Sequence, residues 1–266
     1  MSNNRKIEVQ EKEDFTYSNL TPMPNDVGGY ESGTTFSEKT LKEMWDGILY
    51  PYQYPAFTSF SMASQSTTLE CGIEVAGGNR TFNWGTSNPS NIEANSIEIE
   101  DLTTSTVLGT GLANDGSEIL DIGTAITKLT TNSVHQWRIY ATNTQSDVFN
   151  RTFTVRWYSP FYYGVGDPSL SVSAIQQLTK QVVGKSDKTY TFNPSTQVMY
   201  FAYPASYGDL TSILDPNNFE IIGDFTKRQE TFTTNSPYYE GDSVLYNVYE
   251  FNNLTTQSNF NVTFKF

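Results

Sequence analysis

The chain has 266 residues, enough for one large or two ordinary domains that each bury a core. Its formal net charge is −13, and its sixteen Lys and Arg are scattered, so it lacks the basic patch that nucleic-acid binding needs and is repelled by anionic membrane surfaces. The single cysteine, Cys71, rules out an internal disulfide and any multi-cysteine zinc site.

Residues 1–27 carry Pro22 and Pro24 and little periodicity, which predicts an extended arm that orders on a neighbouring subunit. The opening MSNNRKIEVQEKEDF is polar and charged, without the apolar stretch of a secretory signal. No later segment approaches the run of about eighteen apolar residues that a spanning helix requires. A protein made in a cytoplasm, without membrane insertion, is the expectation.

Residues 28–56 hold the one strong helix signal before a long run of strand-like sequence. Leu41, Met44, Trp45, Ile48 and Leu49 fall on one face of a 3.6-residue period, with Lys39, Lys42, Glu43 and Asp46 on the other. Thr35 and Glu38 have the spacing of a capping box, so the helix is predicted to begin near Phe36. Pro51 and Pro55 bracket Tyr52, Gln53 and Tyr54 as a rigid hinge, because proline fixes φ and keeps the preceding residue out of the helical region. This segment reads as a docking helix that hands the chain to a β domain. Its candidate assembly interface comprises the five apolar helix residues with Tyr52 and Tyr54.

From 57 to 159, short strands alternate with turn chemistry: FTSFSMA, TTLECGIEV, RTFNWGT, SIEIEDL, TVLGTGL, EILDI, and the long pair HQWRIYATN and VFNRTFTVRWY. In that pair His135, Trp137 and Ile139 alternate with polar residues, as do Phe153, Val155 and Trp157, the period of two of a sheet with one buried face. About seven strands at this spacing predict an immunoglobulin-like sandwich. Residues 160–266 form a second β-rich unit. It opens on SPFYYGVGDPS as a linker, with helices predicted over Leu170–Val183 and Tyr207–Leu214. Its strands are KTYTFN, QVMYFAYP, NFEIIGDF, RQETFTT, SVLYNVYEF and the terminal NFNVTFKF. The fold class is mainly β: an arm and one amphipathic helix, then two β-sandwich-like modules.

No catalytic constellation stands out. His135 is the only histidine, and its neighbours mark it as a packed core or rim residue rather than a general base. Asp115, Glu118 and Asp121 sit close in sequence but match no calcium-loop spacing, and Asn114-Asp115-Gly116 is a turn signal. No cofactor or metal is expected. The dense aromatics, among them Tyr50, Phe161, Tyr162, Tyr163, Tyr200, Phe201, Tyr203 and Tyr207, fit cores and subunit contacts, with stacking on sugar rings as the alternative.

At GTTFSEKTLKEMWDGILYPYQYPAF, at SPFYYGV, and through KTYTFNPSTQVMYFAYPASYGDLTSILDPNNFEI to the final NFNVTFKF, the chain resembles a family of bacteriophage virion structural proteins. They occur in phages of Bacteroidetes hosts, the crAss-like group among them. The resemblance spans roughly residues 27–266 and rests on separated motifs in the same order. It implies a non-enzymatic head-, neck- or tail-attached fibre or appendage component of the virion. Its partners would be other virion proteins and further copies of itself, and the alternative is a module that binds host surface glycan.

Overall fold

A computed structural model describes residues 16–19, 22–23, 25–233 and 243–266, so the expectation for arm residues 1–15 lies outside the described residues. In chain order the elements are β1 (Thr16–Asn19), β2 (Phe36–Thr40), α1 (Leu41–Leu49), β3 (Ala56–Met62), β4 (Thr68–Glu70), β5 (Asn79–Ser87), β6 (Ile97–Asp101), β7 (Thr106–Leu112), β8 (Gly116–Asp121), β9 (Ser133–Thr142) and β10 (Val148–Tyr158). They continue as β11 (Phe161–Gly166), α2 (Val172–Ile175), β12 (Thr179–Gln181), β13 (Lys188–Phe192), β14 (Ser195–Pro204), β15 (Ser212–Leu214), β16 (Phe225–Thr233), β17 (Ser243–Phe251), β18 (Thr255–Thr256) and β19 (Phe260–Lys265).

Strands β3 to β10 build the first sandwich. A three-stranded sheet in the order β3-β5-β8 faces a five-stranded sheet in the order β4-β10-β9-β6-β7. All pairings are antiparallel except β4 on β10, where Thr68 lies opposite Arg156. This is the immunoglobulin-like arrangement, with β3, β5 and β8 as strands A, B and E against G, F, C and C′. In antibody domains a disulfide joins strands B and F. Here the two sheets meet through aromatic rings, Phe82 of β5 lying 6.3 Å from Trp137 of β9, which stacks at 5.8 Å on Phe153 of β10. The alternation in β9 is followed residue by residue: His135, Trp137, Ile139 and Ala141 point inward and are buried. The predicted strand TTLECGIEV is shorter than expected. Only Thr68–Glu70 is strand, because the chain turns at Gly72, whose φ of +87° suits glycine, and Val75 then bridges to Ile126.

The second sandwich begins with almost no connection. β10 ends at Tyr158 and β11 begins at Phe161, so most of the segment predicted as a linker is a paired strand. Its larger sheet runs β12-β11-β14-β17-β16, with β18 on the start of β14, and its smaller sheet runs β13-β19-β15. β14 is buried from Val198 to Pro204 on both faces. One face places Phe201 against Phe264 of β19 at 4.2 Å, within a cluster that includes Tyr190, Phe192, Tyr203 and Val262. The other face places Val198, Tyr200 and Ala202 with Ile175, Phe232 and Tyr246 under α2.

Three further expectations are corrected. Over Leu170–Val183 only Val172–Ile175 is helical, started by Ser171, whose hydroxyl accepts from the Ala174 amide at 3.3 Å; the chain then turns and Thr179–Gln181 pairs with β11. The apolar period there serves one buried residue, Ile175, and the open edge of β11 recruits the residues beyond it. Over Tyr207–Leu214, Gly208 at φ +84° ends a short turn at Tyr207, and Ser212–Leu214 pairs with β19. NFEIIGDF is not a strand before Phe225: Glu220 makes a single bridge to Leu214 and Ile222–Asp224 is a 3-10 turn. The Glu220 carboxylate holds it by accepting from the amides of Ile213 and Ile222, both at 2.9 Å.

The terminal strand behaves as its alternation predicts, with Val262 and Phe264 fully buried. Truncating Phe264 to Ala removes a ring that stacks on Phe201, and we expect a loss of about 3–5 kcal/mol in urea unfolding. A loss below about 1 kcal/mol would show that β19 does not seal the core.

A candidate docking surface at the N-terminal end

The helix starts later than its sequence signal suggests. Phe36–Thr40 is strand, pairing antiparallel with Thr16–Asn19, and α1 begins at Leu41. The capping box is the second threonine–glutamate pair at the same spacing. The Thr40 hydroxyl accepts from the Glu43 amide at 3.2 Å, and the Glu43 carboxylate accepts from the Thr40 amide at 2.7 Å. These hydrogen bonds to its charged form hold the exposed Glu43 carboxyl below its ordinary pKa. Thr35–Glu38 lost the competition because Glu38 sits in a strand at φ +52°, its amide donating to the Ser18 hydroxyl at 2.8 Å.

The turn Val27–Tyr30 packs on α1. The Gly29 amide donates to the Gly47 carbonyl at 2.7 Å, and the Tyr30 hydroxyl donates to the Glu43 carbonyl at 2.9 Å. The approach is close enough that a Cβ on Gly28 would lie 2.5 Å from the Ile48 backbone, and one on Gly47 would lie 2.5 Å from the Tyr30 ring. Glu43 and Gly47 lie on the side of the helix away from Leu41, Trp45 and Leu49. The helix is therefore fastened by its polar side. Leu41, Trp45 and Leu49 remain 63%, 52% and 59% exposed, and Met44 and Ile48 are half-buried. The exposed charges pair with each other, Lys42 with Asp46 on the helix at 2.6 Å and Lys39 of β2 with Glu43 at 4.0 Å, leaving the apolar side clear.

The hinge is seated on the end of the first sandwich. The Tyr52 hydroxyl donates to the Asn91 carbonyl and accepts from the Thr144 hydroxyl, both at 3.3 Å. The side-chain amide of Asn91 donates to the Gln53 carbonyl at 2.7 Å, and that of Asn88 donates to the Tyr54 carbonyl at 3.0 Å. Tyr52 and Tyr54 meet edge to face at 5.1 Å, with Tyr54 largely exposed. Between hinge and turn lies an open polar groove of about 520 Å³ lined by Asp26, Tyr30, Glu31, Tyr52, Tyr54 and Gln145.

The remaining candidates are spent on structure. Trp84, Trp137 and Trp157 are buried, as are Phe161, Tyr162, Tyr200, Phe201, Tyr203 and Tyr207. The aromatics exposed on the N-terminal segment, Trp45, Tyr50 and Tyr54, cluster at the helix and hinge. Asp115 holds the Thr86 amide and hydroxyl, and Asp121 accepts from the Gly123 amide at 2.8 Å, so both carboxylates serve turns. Among the described residues no group of three or more His, Cys, Asp or Glu is placed to hold a metal ion.

His135 is 3% exposed, bonded through Nε2 to Asp101 Oδ2 at 2.8 Å, and its Nδ1 has no partner among the described residues. Asp101 Oδ1 accepts from the Thr103 and Thr104 amides, so this pair ties β9 to the turn after β6. Nothing in the sequence couples Asp101 to His135, and the dyad emerges only from the pairing of β6 with β9. Burial lowers the pKa of His135, and the Asp101 carboxylate opposes that shift only in part.

Two outcomes are expected. Thr40→Ala removes one half of the capping box and destabilises α1 by about 1 kcal/mol, read as faster amide exchange over Leu41–Glu43; unchanged exchange would contradict the assigned cap. Because His135 titrates lower in the folded chain than in the unfolded one, the unfolded state binds more protons as pH falls below about 6.5, and stability falls with it. The His135→Gln variant flattens that slope between about pH 7 and 5.5 in chemical unfolding. An identical slope would place its origin elsewhere.

No family model and no curated protein matches the chain. Among solved structures it is similar to an alpha-L-rhamnosidase from Dictyoglumus thermophilum, at 12% identity and a TM-score of 0.25 over 78% of this chain and 24% of that one. The chain thus spans about a quarter of that enzyme's length. It is also similar to fibronectin(III)-like modules of Clostridium thermocellum CbhA, at 10% identity and a TM-score of 0.24 over 76% of this chain and 91% of that one. A further similarity is to Dpr2 Ig1-Ig2, solved in complex with DIP-Theta Ig1-Ig3, at 11% identity and a TM-score of 0.23 over 76% and 88% of the two chains. Similarities this slight carry no functional argument.

Proposed function

We propose that the chain is a non-enzymatic structural component of a bacteriophage virion, a head-, neck- or tail-attached fibre or appendage protein anchored by its N-terminal region. One observation carries the anchoring. α1 is fastened by its polar side and leaves Leu41, Trp45 and Leu49 open, with the exposed Tyr50 and Tyr54 following directly in the hinge, so large exposed apolar side chains gather on this one segment. A contiguous exposed apolar patch of this kind is a surface for another protein. The virion assignment itself rests on the ordered sequence motifs that resemble phage structural proteins.

The groove of tyrosines, carboxylates and carboxamides beside the hinge favours a second reading, host glycan recognition, since such walls pair ring faces with hydroxyl-binding groups. Binding on a glycan array that disappears in Tyr54→Ala would support it; no binding by the parent chain would remove it.

The anchoring reading is tested by sedimenting virus particles with full-length chain and with a version lacking residues 1–55. Only the full-length chain is expected to pellet with particles. Equal binding would move the attachment to the β domains.

A further inference from the structure

The open side of α1 also constrains what covers it. Resting on the anchoring reading above, we infer that its occupant is an apolar groove in a different and larger protein with a basic rim, rather than a second copy of this chain.

Three observations lead there. The first is area. α1 has nine residues, about 13 Å of helix, and its open side offers three large side chains that are already partly covered. Laid against an identical helix, it falls well short of the roughly 800 Å² per partner of a stable interface. A groove that encloses the helix, taking Leu41, Trp45 and Leu49 as anchors one turn apart and Tyr50 at the rim, covers more of the same surface.

The second is charge. In sequence, residues 16–55 carry five carboxylates, Asp26, Glu31, Glu38, Glu43 and Asp46, against two lysines, Lys39 and Lys42, on a chain whose net charge is −13. Two such surfaces repel, whereas a basic rim attracts.

The third is preorganisation. The Gly29–Gly47 and Tyr30–Glu43 hydrogen bonds hold the helix to the Val27–Tyr30 turn, and the Tyr52, Asn88 and Asn91 contacts hold the hinge that follows it to the sandwich, before any partner arrives. A helix fixed in this way loses little conformational entropy when a groove closes over it.

The test pairs the molar mass of the purified full chain, by light scattering, with its co-sedimentation on virus particles at about 50 and about 500 mM salt. The same measurements are made on Trp45→Lys and Trp45→Phe. We expect a monomer whose binding weakens at the higher salt, falls at least tenfold in Trp45→Lys and is largely retained in Trp45→Phe. Trp45 is exposed, so the lysine variant should keep the parent's unfolding midpoint. A dimer that Trp45→Lys dissociates would overturn the inference and put a second copy on the helix, leaving the anchoring reading intact if the chain still pellets. Co-sedimentation unaffected by Trp45→Lys would place the anchor elsewhere, and binding indifferent to salt would remove the basic rim. If the parent chain never pellets, the anchoring reading fails and the inference falls with it.

Discussion

Aromatic packing between facing sheets is the interaction on which the rest of the molecule depends. With one cysteine in the chain, neither sandwich has an internal disulfide to join its sheets. Ring contacts join them instead: Phe82, Trp137 and Phe153 in the first, and Phe161, Phe201 and Phe264 in the second. Aromatic pairs add about 0.5–1.5 kcal/mol beyond their area burial, and they do so only when the rings are held in register. The register of β9 against β10 and of β13 against β19 is therefore what sets the cores.

That demand also shapes the junction between the sandwiches. β10 passes into β11 across Ser159 and Pro160, too short a connection for the two cores to move freely. The Tyr246 hydroxyl donates to the Pro160 carbonyl at 2.9 Å, the Tyr207 hydroxyl meets the Thr131 hydroxyl at 3.0 Å, and Lys180 reaches Glu70 at 2.7 Å. The opposite end of the first sandwich receives the hinge, through the loops after β5 and β9. The chain thus presents its helix at one end of a stiff sandwich and its second β unit at the other.

Three strands were legible because each buries one face only. HQWRIYATN, VFNRTFTVRWY and NFNVTFKF alternate, and each contains a strand whose central residues are buried as the alternation assigns, although Phe260 and Phe266 at the ends of the last are only half-buried. What sequence could not supply was competition between sites. Two threonine–glutamate pairs of identical spacing precede the apolar helix run, and the one nearer to it became the cap because β1 had already drawn Phe36–Thr40 into a strand. The period of Leu170–Val183 and of Tyr207–Leu214 was apolar enough for helix, yet open sheet edges took part of each segment, a tertiary effect that local pattern does not carry. At the candidate site the apolar residues of α1 and the proline hinge were readable. That the helix is fastened by Gly47 and Glu43, so that its apolar side faces outward, was not, because it depends on the distant turn at Gly28–Tyr30.

The central claim is that the free chain leaves one side of α1 open. Of the four tryptophans, Trp84, Trp137 and Trp157 are buried and Trp45 is 52% exposed, so the claim is read directly by acrylamide quenching of the purified protein's fluorescence. We expect a single accessible, red-shifted component that vanishes in Trp45→Phe, with the other three tryptophans shielded. If Trp45 proves as protected as the core tryptophans, the chain covers its own helix, and the docking surface at α1 does not exist in the free protein.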